Sequence, residues 1–156
     1  MQVGGQGRSV AVTYKVELDA AAVTAYLDAV FPQWNQGGIR FGIDAIEPGR
    51  ARVSAEARAE HLRPGGTVSG PTLFTLADFA AYAVILGHVG KQALAVTTNL
   101  NINFLRKAPP GPVTGECRLL KLGSRLAVTE CDIMADGTDD LIAHASATYS
   151  LPPKTS

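Results

Sequence analysis

Residues His61–Gly90 read HLRPGGTVSGPTLFTLADFAAYAVILGHVG, and the rest of the chain has to be arranged around them. The stretch passes from a loop rich in Gly and Pro straight into an apolar segment, Leu73 to Leu86, whose one charged residue is Asp78. Pro71 suits the first turn of a helix, where a missing N–H leaves no bond unmade, and Gly70 suits a flexible entry. Ala and Leu recur, and neither Gly nor Pro returns before Gly87. The segment therefore reads as a helix of about sixteen residues, a rod of roughly 24 Å. Apolar residues fall on every side of it, which calls for protein all round. The run is shorter than the about 20 apolar residues that cross a bilayer, and Asp78 interrupts it.

A carboxylate on such a helix needs a reason, because burying it unpaired costs several kcal/mol or forces it to take up a proton. Asp is also a mediocre helix former, so local propensity does not account for it. Two readings stand. In one, Asp78 pairs with an Arg or caps a neighbouring loop; in the other, it faces a cleft and works as a base or nucleophile. The helix start favours the second. Gly70 offers an N–H unobstructed by a side chain at the positive end of the helix dipole, which is an anion site. A carboxylate and an oxyanion donor on one element suggest acyl-transfer hydrolysis.

The 156 residues fit one domain and can bury a real core. Lys plus Arg equals Asp plus Glu, 14 of each, so no broad basic footprint points to nucleic acid. The opening MQVGGQGRSVAVTYK lacks the long apolar core of a secretory signal. Two cysteines and three scattered histidines supply no spaced zinc set. The expectation is a cytoplasmic protein without metal, nucleic-acid or membrane partner.

Outward from the central helix, residues 1–12 read as a disordered lead and 13–156 as a single domain. Asp19 is an N-cap for a helix over Ala20 to Phe31, closed by Pro32 and Gly37-Gly38, with Val23, Tyr26, Leu27 and Val30 on its packing face. Ile39, Phe41 and Ile43 alternate, Glu47-Pro48-Gly49-Arg50 is a turn, and Arg52 to Ala57 resumes: a hairpin. After the central helix come four strands. In Ala95 to Phe104, Val96, Leu100, Ile102 and Phe104 take one face and Thr97, Asn99, Asn101 and Asn103 the other. Val113 to Leu122 and Leu126 to Ala135 form a second hairpin, which sets Cys117 opposite Cys131 as two free buried thiols. Leu141 to Leu151 is the last strand. Helix, two strands, buried helix and four strands give an α+β fold, a curved antiparallel sheet wrapped around a long central helix. The open strand edges of such a sheet invite a second subunit, a homodimer at least.

The pattern GTVSGPTLFTLADFAAYA, with NINFLRKAPPGPV and GSRLAVTECDIMADGTDDLIAHASATYSL, resembles the hotdog-fold acyl-CoA thioesterases of the phenylacetate-pathway (PaaI-like) type. The likeness spans nearly all of residues 35–151. Their motif runs Asn-x-x-Gly-x-x-His-Gly-Gly, then six residues, then Asp or Glu within the wrapped helix. The resemblance implies that Asp78 is the catalytic acid, activating water or attacking the thioester, and that the Gly70 N–H polarises the thioester carbonyl. It implies that Thr97 holds the water. It also implies sites built across a dimer interface, in a homodimer or a dimer of dimers. Coenzyme A enters as part of the substrate, with no separate cofactor.

Three positions depart from the motif. Ser69 stands where the family commonly has His, Pro71 replaces the second Gly, and Arg63 replaces the Asn. Ser69 can donate one hydrogen bond but carries no proton near neutral pH. Arg63 is expected to hold Asp78 ionised or to bind a phosphate or carboxylate of the ligand, and His61 is a candidate to compensate for the missing His. Pro71 and Asn99 are expected beside the substrate. For the phosphates of coenzyme A the candidates are Arg106, Lys107 and, at the second hairpin turn, Arg125 with Lys121. Phe74, Tyr82 and Trp34 are candidates to line an acyl pocket. A non-catalytic acyl-CoA or small-ligand binding protein is the competing reading, motivated by the missing His and Asn. A hydratase is a weaker third, since the resemblance supplies no His beside the acid.

Overall fold

The computed structural model describes residues 12–36 and 38–154, so the expected disordered lead falls, Val12 apart, outside them. The first helix, α1, covers Ala20–Val30. The Asp19 side chain accepts from the Ala22 N–H at 2.8 Å, satisfying a donor that the first turn leaves unpaired. Val23 and Leu27 are buried, but Val30 and Phe31 point outward, so the packing face is narrower than its periodicity suggests. A single 3₁₀ turn, Pro32–Asn35, follows and buries Trp34.

Strands β1 (Phe41–Glu47) and β2 (Arg50–Ala57) form the first hairpin. The segment read as loop contains a two-residue ribbon, β3 (Leu62–Arg63) with β4 (Thr67–Val68). Gly65 and Gly66 turn it at φ of 100° and 79°, a region that side chains avoid. The central helix, α2, runs from Gly70 to Val89, 20 residues. Strands β5 (Val96–Phe104), β6 (Gly111–Leu122), β7 (Leu126–Ala135) and β8 (Leu141–Ser150) complete the chain. The main sheet is antiparallel, in the order β1-β2-β6-β7-β8-β5, and α2 lies on its inner face.

Small residues let the helix lie close. The inner face is rich in Ala, with Ala51, Ala55 and Ala57 on β2 and Ala143, Ala145 and Ala147 on β8. A Cβ on Gly115 of β6 would press on Cys131 Sγ at 3.3 Å and touch Leu76 Cγ of the helix at 3.5 Å. Gly87 does not end α2 as its sequence suggests. It stays helical where β1 crowds the axis: a Cβ there would lie 2.7 Å from Ile46 Cγ2. Its carbonyl accepts from the N–H groups of Glu17 and Leu18. Gly90, at φ 87°, supplies the stop.

Two further differences bear on function. At 20 residues and mean hydropathy 1.5, α2 is long and apolar enough to cross a membrane, beyond the length read from sequence; yet 72% of its apolar window is buried, as befits a core helix. Nor is α2 covered all round. Pro71, Phe74 and Thr75 are exposed and Asp78 is half-buried, a stripe at helical spacing left open by the sheet.

The second difference is a β-bulge. Thr97 pairs with Tyr149 and Asn99 with Thr148, which leaves Thr98 unmatched. One extra residue reverses the alternation, so Thr97 shares the inner face with Leu100 and Ile102 rather than the outer row of Asn99, Asn101 and Asn103. Val96 is turned outward and is 55% exposed. Cys117 stands opposite Cys131, but the pair Leu122↔Ala127 shows a second bulge at Leu120, so the turn is offset by one from a simple hairpin. Both cysteines are free and buried; the hydrogen bond between them and then burial hold the Cys131 thiol well above its ordinary range.

Candidate active site

Asp78 sits in the middle of the open stripe of α2. Thr97 Oγ1 donates to its Oδ1 at 2.6 Å, and Tyr149 donates its phenolic proton to the same oxygen at 2.7 Å. The Tyr149 hydroxyl also lies 3.0 Å from the Asp78 carbonyl. Tyr149 is only 3% exposed, and burial first, then the charge of Asp78, push its phenol well up, so it remains a proton donor. Oδ2 of Asp78 has no partner among the described residues and is not sealed from solvent. Asp78 forms no ion pair among them either. Within one protomer Arg63 forms no ion pair with it, and two neutral hydroxyls hold this carboxylate.

The start of α2 is the second half of the site. Ser69 caps it: its Oγ meets Thr72 Oγ1 at 2.8 Å and the Thr72 N–H at 3.4 Å. Pro71 has no N–H, and no acceptor among the described residues takes the N–H of Gly70. A Cβ on Gly70 would come 3.2 Å from Phe104 Cζ, so glycine both admits the Phe104 ring and leaves the amide open. A cavity of about 510 Å³ opens here, and it gathers Arg63, Gly70, Pro71, Arg106 and Lys107, five of the residues singled out from sequence. Arg106 is partly tethered, donating to the Leu141 carbonyl at 3.1 Å.

A separate cleft of about 480 Å³ lies beside the Asp78 end. Val30, Phe31, Tyr82, Leu94, Val96, Thr97 and Tyr149 are among its walls. Tyr82 donates to the Ala93 carbonyl at 2.8 Å, and its phenol is pushed up to about 12 by burial. Phe74 is 40% exposed on the open stripe outside this cleft. Trp34 belongs to the core instead, stacked on Phe79 with centroids 5.0 Å apart and bonded to Asp28.

Other expected residues are placed elsewhere. Arg125 donates to the Leu151 carbonyl at the turn between β6 and β7, which borders the C-terminal end of α2. Across a 20-residue helix that is roughly 30 Å from Gly70, so within one protomer Arg125 and neighbouring Lys121 do not join the cation group. Asn99 is exposed on the outer face of β5. His61 Nδ1 accepts from the Arg58 N–H while the His61 carbonyl accepts from Ser69. Tyr149 is the residue the sequence reading missed. A signal was present, since Ala143, Ala145 and Ala147 fill the inward positions of β8 and the next one is a tyrosine.

Comparison with known proteins shows the family and the fold. The thioesterase superfamily model matches residues 65–142, which include β4, α2, β5, β6 and β7. This chain belongs to the thioesterase superfamily. A candidate esterase of Saccharolobus solfataricus is 37% identical over 114 residues, 72% of this chain and 72% of the relative. The crystal structure of a candidate thioesterase from a Silicibacter species superposes with a TM-score of 0.79 at 45% identity, covering 89% of this chain and 95% of that one. A candidate thioesterase of Ralstonia eutropha, described as related to phenylacetic acid degradation, gives a TM-score of 0.66 at 28% identity over 70% and 83% of the two chains. The hotdog architecture and the likeness to the PaaI-like group hold, and the family is one of thioesterases and esterases. For this thioesterase-superfamily member, α1 and the cleft wall it supplies lie outside the matched residues.

Proposed function

We propose that the protein hydrolyses an acyl-CoA thioester to the free acid and coenzyme A, in a site completed by a second copy of the chain. The observation that carries this reading is the spacing along α2. Gly70 and Asp78 are eight residues apart, about 12 Å along the axis, too far to act on one carbonyl. Strand β5 carries both halves, with Phe104 against Gly70 at one end and Thr97 against Asp78 at the other. It is also an open edge, with unpaired backbone groups and Val96 and Phe104 more than half exposed. Antiparallel pairing of β5 with its copy about a two-fold near Leu100–Asn101 brings the Thr97 end of one against the Phe104 end of the other. Asp78 of one copy then faces the Gly70 amide of the other, twice per dimer.

In that arrangement the thioester oxygen accepts from the Gly70 N–H, which stabilises the charge that develops as the carbonyl carbon becomes tetrahedral. Asp78 Oδ2 takes the proton of the attacking water and returns it to the coenzyme A sulfur as the C–S bond breaks, releasing acid and thiol. Alternatively, Oδ2 adds to the carbon itself, the thiolate leaves and takes a proton from water, and a second water cleaves the mixed anhydride to the free acid and regenerates Asp78. The acyl group fits the apolar cleft of Phe31, Tyr82, Leu94 and Val96. Arg63, Arg106 and Lys107 lie where the phosphates would emerge. Removing two of those cations, in Arg106→Ala/Lys107→Ala, is expected to raise KM for a CoA ester about tenfold with little change in kcat. A thioester of the same acid lacking the nucleotide should show no such change.

A second reading, a protein that binds acyl-CoA without cleaving it, is favoured by Ser69, which replaces a His and whose hydroxyl is already engaged in capping. Thiol release from a panel of acyl-CoA esters of rising chain length and aromatic character separates the two. Turnover supports hydrolysis. Tight binding across the panel without release supports the second.

A further inference from the structure

We infer that Tyr149 is a positioning residue of this site: with Thr97 it pins Oδ1 of Asp78, so that Oδ2 is the oxygen presented to the reactants. The inference rests on the role proposed for Asp78. An aspartate side chain free to turn presents either oxygen, and a base that swaps oxygens spends part of its time misaligned. Here both donors converge on one oxygen, at 2.6 Å from Thr97 and 2.7 Å from Tyr149. They come from adjacent strands. Thr97 and Tyr149 are a directly opposed pair of β5 and β8; Tyr149 is inward by the regular alternation of β8, and the bulge at Thr98 turns Thr97 to the same side.

The phenol is itself held. Its ring stacks on Tyr82 with centroids 6.1 Å apart and planes 10° from parallel, and Tyr82 is anchored to the Ala93 carbonyl. Within one protomer the titratable neighbours of Asp78 are thus Tyr149 on β8 and, behind it, Tyr82 on α2 itself, with no charged side chain paired to it among the described residues; in the proposed dimer the Gly70 cavity of the other copy adds Arg63, Arg106 and Lys107. Two neutral donors stand where an ion pair would otherwise hold the charge. Such donors fix the orientation of the carboxylate without neutralising its charge.

The test is a cycle of Tyr149→Phe, Thr97→Val and the double variant, measured beside Asp78→Asn on the same CoA ester. Tyr149→Phe keeps the ring and its stacking, so Tm and KM should stay near wild type. Each single change is expected to lower kcat about tenfold, the size of one charge-assisted hydrogen bond. Because both donors share one oxygen, the double variant should fall about a thousandfold, beyond the product of the singles. Thr97→Ser should restore wild-type kcat. Wild-type kcat in Tyr149→Phe, with Asp78→Asn inactive, would overturn this inference alone. A kcat loss that merely tracks a fall in Tm would do the same. Full activity in Asp78→Asn would remove the catalytic role of Asp78 and this inference with it.

Discussion

Asp78→Asn should lower turnover of acyl-CoA esters by about a thousandfold or more while leaving fold and assembly intact, on the scale of losing a general base or nucleophile. The variant is gentle structurally. The Asn carbonyl oxygen can still accept from Thr97 and Tyr149, and the position is half-buried on an open stripe, so no cavity forms. What disappears is the negative charge and the free basic oxygen. Binding should survive, because the cations and the apolar cleft are untouched. Steady-state kinetics with a thiol reporter, together with Tm, separates the two quantities. A kcat reduced less than tenfold at unchanged Tm would take Asp78 out of the chemistry.

The largest stability effect is expected at Leu76. Its side chain is fully buried, on the face of α2 turned toward the sheet, with Gly115 of β6 directly beneath it. Leu76→Ala should cost about 2–5 kcal/mol, the transfer of the lost methyl groups plus the cavity they leave. The site has limited capacity to collapse, because Gly115 in the opposing wall holds no side chain to swing inward. Urea unfolding should show a lower midpoint with the slope unchanged. By contrast, exposed Phe74 on the open stripe should tolerate truncation in an isolated protomer far better.

These residues also mark how far the sequence could be read. The wrapped sheet and central helix were legible because each element carries its own period, and Pro or Gly stands at most boundaries. The pairing of Cys117 with Cys131 followed from the second hairpin even though a bulge at Leu120 shifts the turn. The bulge at Thr98 was not legible. Two adjacent threonines in a polar-apolar alternation give no hint that one is extra, and a single unpaired residue moves Thr97 from the outer face to the carboxylate. Gly87 looked like a helix end because its reason for being glycine is a contact with Ile46, far away in sequence. Trp34 looked like a pocket aromatic and proved to stack on Phe79 in the core. Arg125 was a plausible phosphate contact by analogy, yet within one protomer its side chain donates to the Leu151 carbonyl near the far end of α2 from Gly70. Tyr149 was hidden for a different reason: its partner is 71 residues away and only the sheet brings them together.

The central claim, that Asp78 of one copy works with the Gly70 amide of another, is tested most directly by mixing subunits. Asp78→Asn and Gly70→Val chains, differently tagged and isolated as mixed dimers, should each be inactive alone; valine at 70 must displace Phe104 and cover the amide. Mixed dimers should regain about half of the wild-type rate, because pairing across the two-fold rebuilds one intact site of the two. Mixed dimers as inactive as their parents would contradict the account.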